Sequence, residues 1–173
     1  MDRKEHLIWL LMDLVYDLVT PGRVLRDYLE NSDMSPDSAA FLGVARMCKI
    51  SCVLSLVKLH DVLKDYGVET RELPDDIREQ IGLFRRFCTD KKLVRLRNKF
   101  AAHNFDDFES SSYAEGEELF TGLFGKTLGE HLEFFEWVCP ADPSQTFEAY
   151  HPAYLVTRMR NHLASQVVPA PRL

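Results

Sequence analysis

The segment RLRNKFAAHNF, residues 95–105, contains the side chains of this sequence that are best suited to chemistry. Arg97 carries a fixed positive charge on a planar fork of donors that matches a phosphate group. His103 can give or take a proton near neutral pH, and Asn98 offers both a donor and an acceptor beside it. Without an acidic metal-binding cluster, these residue types are suited to metal-independent cleavage of RNA, in which the ribose 2′-hydroxyl is the nucleophile.

The spacing of Arg97 and His103 does not by itself bring the two side chains together. On one straight α-helix their separation corresponds to a rotation of about 600°, which is about 120° away from a shared face, and to about 9 Å along the axis. Two arrangements would solve this. The helix could end or distort near Ala102, or two chains could meet across a two-fold axis, so that each supplies an Arg and a His to one cleft. Ala101 and Ala102 are small enough to permit such an approach.

The residues R-N-K-F-A-A-H, from Arg97 to His103, resemble the R-x(4–6)-H motif of the HEPN superfamily, in which a polar residue follows the arginine. The preceding KLVRLRNK and the AAH ending are most similar to HEPN-like proteins of bacterial abortive-infection and toxin systems. The stretch SLVKLHDVLKDYG, on a long predicted helix, is also similar to that group. The resemblance implies a helical bundle that dimerises with its two motifs facing each other. In active members it implies a metal-independent endoribonuclease.

The resemblance also implies roles for individual residues. Arg97 would bind and polarise the phosphate, His103 would act as acid or base, and Asn98 would orient one of them. Residues that would add phosphate or RNA contacts are Arg95, Lys99 and Asn104. One position departs from the pattern: where some members carry a tyrosine that a partner nucleotidyltransferase modifies, this chain has Phe105. Control through that tyrosine is therefore not expected.

Two hypotheses of different classes follow. The first is an endoribonuclease of a toxin–antitoxin or phage-defence (abortive infection) system, working as a homodimer on RNA, with an antitoxin or a nucleotidyltransferase as its partner. The alternative is a catalytically inactive HEPN-like module that binds RNA or a protein, since the superfamily also contains such members. The sequence has no nucleotide-binding, hydrolase or zinc-type motif, so neither a cofactor nor a metal site is predicted.

Charge is unevenly distributed along the chain. The 173 residues carry a net charge of −6, which excludes a uniformly basic nucleic-acid-binding protein. The segment from Arg85 to Lys99 nevertheless has seven basic residues against Asp90 alone, a local charge of +6 that leaves −12 for the rest. This segment is either a solvated basic face or a surface that attracts a polyanion such as RNA.

Cysteine usage and the N-terminus bear on the location of the protein. The four cysteines contain no CxxC pair and are typical of buried thiols in a reducing compartment. The apolar run LIWLLM is too short to span a membrane, and no small-residue cleavage site follows it. The sequence therefore predicts a cytoplasmic protein without a membrane partner. The cysteines are Cys48, Cys52, Cys88 and Cys139.

Helical periodicity dominates the chain and predicts an all-α bundle with a long central helix. Ser35 and Pro36 are expected to start that helix, and Gly67 to end it. The acidic, Ser-rich residues 104–118 are expected to form a loop. We predict one domain over residues 1–166, followed by a disordered tail over 167–173. The predicted helices cover about residues 4–19, 23–30, 36–66, 75–88, 91–103, 117–138 and 152–166.

Three other groups of residues contain side chains that could have a functional role. His60 and Asp61 are neighbours in sequence rather than one turn apart, which favours a structural role. His131 falls in the apolar stripe of its helix, away from the nearby glutamates, so a metal site there is not expected. The aromatic residues of the same helix are expected to be core or dimer surface; they are Phe134, Phe135 and Trp137.

Overall fold

The structure, a computed structural model, describes residues 2–98, 110–142, 151–167 and 169, with the backbone alone for residues 110–114. Within these ranges the chain forms eight α-helices and no strand, which confirms the all-α prediction. Most of the predicted tail, residues 168 and 170–173, lies outside the described residues. The helices are α1 (Arg3–Asn31), α2 (Ala39–Asp65), α3 (Gly67–Arg71), α4 (Asp75–Asp90), α5 (Leu93–Arg97), α6 (Ser110–Phe124), α7 (Leu128–Val138) and α8 (Pro152–Ala164).

The two longest helices, α1 and α2, pack along each other at the centre of the bundle. Both contribute fully buried leucines to one continuous core, among them Leu11 of α1 and Leu56 and Leu59 of α2. Helix α8 packs against α1, and the short α5 packs against α2. Because each buried aliphatic side chain stabilises the fold by about 1.5–3 kcal/mol, this core holds α2 and α5 in a fixed relation.

Helix α1 runs through Pro21, whereas the sequence predicted a break there and two separate helices. A proline has no N–H, so the carbonyl of Asp17, one turn earlier, lacks its usual helical hydrogen bond. The hydroxyl of Ser55, a buried residue of α2, lies 3.1 Å from that carbonyl oxygen. The neighbouring helix thus places a hydroxyl donor, shared with the carbonyl of Ser51 at 2.8 Å, beside the carbonyl that the proline leaves without its helical partner.

The contact between α1 and α7 explains why a glycine follows the proline. A Cβ atom on Gly22 would lie 3.2 Å from Cβ of Phe135, closer than an ordinary packing contact. Beside this close approach, Nη2 of Arg26 donates to Oε2 of Glu136 over 2.6 Å. Gly22 therefore lies at a close approach of α1 and α7 and does not act as a helix breaker.

The predicted ends of the long helix need correction at both sides. The residue that caps α2 is Ser38, whose hydroxyl oxygen accepts from the backbone N–H of Phe41 over 3.2 Å. Ser35 instead closes the preceding turn, in which its carbonyl accepts from Ser38 N–H. Helix α2 ends at Asp65, and Gly67 begins α3 rather than capping α2.

The helix predicted over residues 91–103 begins two residues later, at Leu93. Thr89 and Asp90, just before the predicted start, are the last residues of α4. The turn between the two helices is made at Lys92, which has a left-handed φ of 52°. Regular α5 ends at Arg97, and residues 99–109 lie outside the described part of the chain.

The region predicted as a loop followed by one long helix contains two helices. Residues 110–118 belong to α6, and α6 is separated from α7 at Gly125, whose φ of 83° favours glycine. Thr127 then begins α7 with a capping box: its side chain accepts from Glu130 N–H, and the Glu130 carboxylate accepts from Thr127 N–H over 2.8 Å. Both signals are visible in the sequence as Gly125 and T-x-x-E.

Two features of α2 and its surroundings concern location. Among the described helices, α2 is long and apolar enough to cross a membrane, but 44% of its most apolar window is buried in the protein, and the core helix of a soluble protein passes the same test. The cysteines are free thiols, and Cys48, Cys52 and Cys88 are buried as predicted, while Cys139 is half-buried. Burial raises the pKa of Cys88 to about 12.

Candidate functional site

The site begins at the C-terminal end of α5. Leu93 and Leu96 are fully buried and anchor this short helix against the bundle. Arg97 follows directly, with a side chain that is 33% exposed. Because the buried leucines fix the helix, they also fix the direction in which Arg97 leaves it. The residue is positioned by the core yet open to a ligand.

Two side chains hold the Arg97 guanidinium. Nη1 donates to Oδ2 of Asp61 on α2 over 3.0 Å, and Nε donates to Oδ1 of Asn98 over 3.1 Å. A guanidinium has five N–H donors, and these two bonds use two of them. Within the described residues, the other three are available for a phosphate, whose oxygens match the planar fork.

Asp61 connects this arginine to a histidine. Its second oxygen, Oδ1, lies 3.4 Å from Nδ1 of His60, and this pair is charged only when the imidazole is protonated. Arg97, Asp61 and His60 thus form a partly exposed row across α5 and α2. The row can orient a guanidinium and place an imidazole nearby.

The other predicted site residues are distributed as follows. Arg95 forms an ion pair with Glu115 on α6, whereas Arg97 contacts α2, so the two arginines of α5 serve different neighbours. Asn98 accepts a hydrogen bond from Arg97, and its orienting role stays a prediction. Lys99, His103 and Asn104 lie outside the described residues. The relation between Arg97 and His103 therefore stays a prediction.

The region around His131 differs from the site around Arg97. His131 is half-buried with its ring edge towards Phe124, and burial lowers its pKa. Glu130 is occupied with capping α7, and Thr127 and Lys126 donate hydrogen bonds that lower its pKa. Within the described residues no group of three His, Cys, Asp or Glu side chains could hold a metal ion. The expected core role of Phe135 is confirmed, since it is buried.

Asp61 is the residue of this site that sequence reasoning did not assign. Its ion pair with Arg97 joins positions 36 residues apart. No local spacing can signal such a contact, because it depends on how α5 docks on α2. The one available signal was the similarity of the stretch around His60 and Asp61 to the same group of proteins as the motif.

Comparison with known proteins supports the fold and goes no further. No protein-family model matches the chain, and no curated protein matches it. A solved structure from the mobile metagenome of V. paracholerae, the integron cassette protein Vpc_cass2, is similar to it, with a TM-score of 0.74 and 20% identity over 95% of this chain and 97% of that one. At this identity the likeness concerns the fold alone.

Proposed function

We propose that this protein is a HEPN-like, metal-independent endoribonuclease of a toxin–antitoxin or phage-defence system, acting in the cytoplasm as a homodimer. The observation that best supports the proposal is the position and exposure of the Arg97 guanidinium. This guanidinium is held by Asp61 and Asn98 and is partly exposed, and within the described residues three of its donors have no other partner. A positioned cation of this kind lowers the barrier wherever negative charge develops in the transition state.

The proposed reaction uses the chain's own side chains. A base, which the motif assigns to His103, takes the proton of the ribose 2′-hydroxyl, and the 2′-oxygen attacks the adjacent phosphorus. The bond from phosphorus to the 5′-oxygen breaks, and that oxygen takes up a proton. Arg97 stabilises the charge on the phosphate oxygens, and Asp61 positions Arg97. The products are a 2′,3′-cyclic phosphate and a 5′-hydroxyl.

The exposed face of α2 supports the homodimer. At 100° per residue, Met47, Leu54 and Asp61 lie within about 40° of one another on this helix. Met47 is 60% exposed and Leu54 is 40% exposed. An apolar stripe that leads to Asp61 would bring two copies of Arg97 towards one cleft if the stripe lay on a two-fold axis.

A cleavage assay with four variants tests the proposal. His103→Ala and Arg97→Ala should each lower the single-turnover rate on a labelled RNA by about 100-fold or more, the usual effect of losing a catalytic acid, base or charge stabiliser. His162→Ala and Arg160→Ala, on α8, are the matched controls and should cleave like the wild type. Equal rates for all five proteins would contradict the proposal.

One observation favours the alternative, a helical module that binds RNA or a protein without cleaving it. The charge of Arg97 is already opposed by a carboxylate at 3.0 Å, an arrangement that also occurs in purely structural ion pairs. Under this alternative, Arg97→Ala weakens binding and no RNA is cleaved by the wild type.

A further inference from the structure

A basic pocket opens beside the candidate site, between the end of α2, α3 and α4. Its volume is about 420 Å³. The side chains that line it include four cations and an imidazole, and none of its nine lining residues is acidic. The charged lining residues, with the imidazole, are His60, Lys64, Arg71, Arg78 and Arg85.

Two acidic residues next to the pocket lining in sequence are paired with cations of α1. Glu69 is held by Nε of Arg3 over 2.5 Å, and Glu72 by Nζ of Lys4 over 2.6 Å. Of the four pocket cations, Arg78 is paired with Asp75. In the part of the chain that the structure describes, no ion pair is formed by Lys64, Arg71 or Arg85. These three like charges repel one another, so an anion is the ligand that this pocket favours.

One wall of the pocket is preorganised. Nη2 of Arg85 donates to the carbonyl oxygen of Leu63 over 2.7 Å, which fixes this guanidinium at the pocket wall. Gly67 and Gly82 border open space, since a Cβ added to either would meet nothing within 4 Å. A side chain introduced at Gly82 can therefore enter the pocket region without displacing a neighbour.

His60 links the pocket to the candidate site. It lines the pocket, while Asp61 beside it binds Arg97. A strand with its reactive phosphate at Arg97 could therefore continue along α2 into the pocket. A single nucleotide would leave several of these cations unused, whereas consecutive phosphates of a chain could use them together.

We infer that the pocket binds the phosphate backbone of single-stranded RNA next to the cleavage point. This inference rests on the proposed function for its ligand, but its test measures binding alone. The parent protein is the full chain carrying His103→Ala, so that the RNA stays intact. Its affinity for a labelled single-stranded RNA is measured by fluorescence anisotropy as a function of salt.

Two pocket variants of the parent are compared with a matched control. Lys64→Ala with Arg71→Ala removes two cations that form no ion pair in the described part of the chain. At about 0.7 per phosphate contact, this double variant should reduce the slope of log affinity against log salt by about 1.4. Gly82→Glu, which adds a carboxylate in open space, should weaken binding at least tenfold. The control, Lys126→Ala with Arg160→Ala, removes two cations elsewhere and should keep the parental slope.

Unchanged RNA affinity and slope in both pocket variants would overturn the inference, as would a parent protein that binds no RNA. A parallel titration with tripolyphosphate distinguishes binding of an RNA strand from binding of free phosphate groups. If the pocket variants lose tripolyphosphate but keep RNA, the assignment to RNA is wrong. If RNA binds through the pocket and the wild type cleaves none, the inference stands and the proposed function fails.

Discussion

Ser55 on α2 should stabilise α1 only because Pro21 interrupts its hydrogen bonds. The Ser55 hydroxyl has one proton and two nearby acceptors, the carbonyl oxygens of Asp17 at 3.1 Å and Ser51 at 2.8 Å. The Ser51 carbonyl also accepts a backbone N–H, as in any α-helix. The Asp17 carbonyl has lost that donor to the proline, so it depends on the hydroxyl.

The expected magnitude follows from this dependence. Leaving a buried carbonyl without a donor costs about 1–3 kcal/mol, and because the Asp17 carbonyl is only partly buried, we expect the lower end. Ser55→Ala should therefore reduce the free energy of unfolding by about 1–1.5 kcal/mol. In a Pro21→Ala background, the new N–H reaches Asp17, and Ser55→Ala should cost about 0.5 kcal/mol or less.

Urea denaturation followed by helical circular dichroism measures all four proteins of this double-mutant cycle. The coupling energy between the two positions should be about 1 kcal/mol, well above the scatter of about 0.3–0.5 kcal/mol for independent sites. If Ser55→Ala lowered the free energy of unfolding equally in both backgrounds, the prediction would be wrong, because the contribution of the hydroxyl would not depend on the proline.

Three further predictions concern packing, assembly and pH. Gly22→Ala should lower the free energy of unfolding by about 1–2 kcal/mol, as overpacking does, because its Cβ would press on the α7 phenylalanine that contacts it; an unchanged urea midpoint would contradict this. If the homodimer uses the α2 stripe, Leu54→Glu should halve the mass measured by light scattering. The control is Val68→Glu on α3, where the wild-type side chain is 67% exposed, and this variant should keep the wild-type mass. A dimeric Leu54→Glu protein would contradict that interface. The guanidinium of Arg3 lowers the pKa of Glu69 from its ordinary value of 4.5, so this pair stabilises the fold above that pH and loses its effect as pH falls through the lowered value. Arg3→Ala should therefore be less stable than the wild type at pH 6 and approach it below pH 4.5, in urea titrations at each pH; a constant difference would contradict the assignment.

Helices that carry their own start signals could be predicted from the sequence. Pro74 directly precedes α4 and Pro152 is the first residue of α8, and the predicted starts of both helices agree with the structure. The break before α7 also had local signals, which a long apolar stripe obscured. Helix α1 could not be predicted as one element, because the donor that replaces the missing proline N–H comes from Ser55, a distant residue.

In the candidate site, too, some residues could be predicted from the sequence and others could not. Arg97 and Asn98 stand out from residue type and spacing, and the structure places them in contact. Asp61 could not be assigned, since its role depends on the docking of α5 against α2 through buried leucines. The basic pocket could not be predicted either, because its cations come from three helices and two of its acidic neighbours pair with distant residues of α1.

The chemistry of the cleavage products is the most direct test of whether this protein is a metal-independent endoribonuclease. Purified wild-type protein and the His103→Ala variant would be incubated with total cellular RNA in EDTA, and the ends of the fragments would be identified. We expect wild-type fragments that end in a 2′,3′-cyclic phosphate and begin with a 5′-hydroxyl, and no fragments from the variant. Fragments with 5′-phosphates, or intact RNA with both proteins, would contradict this expectation.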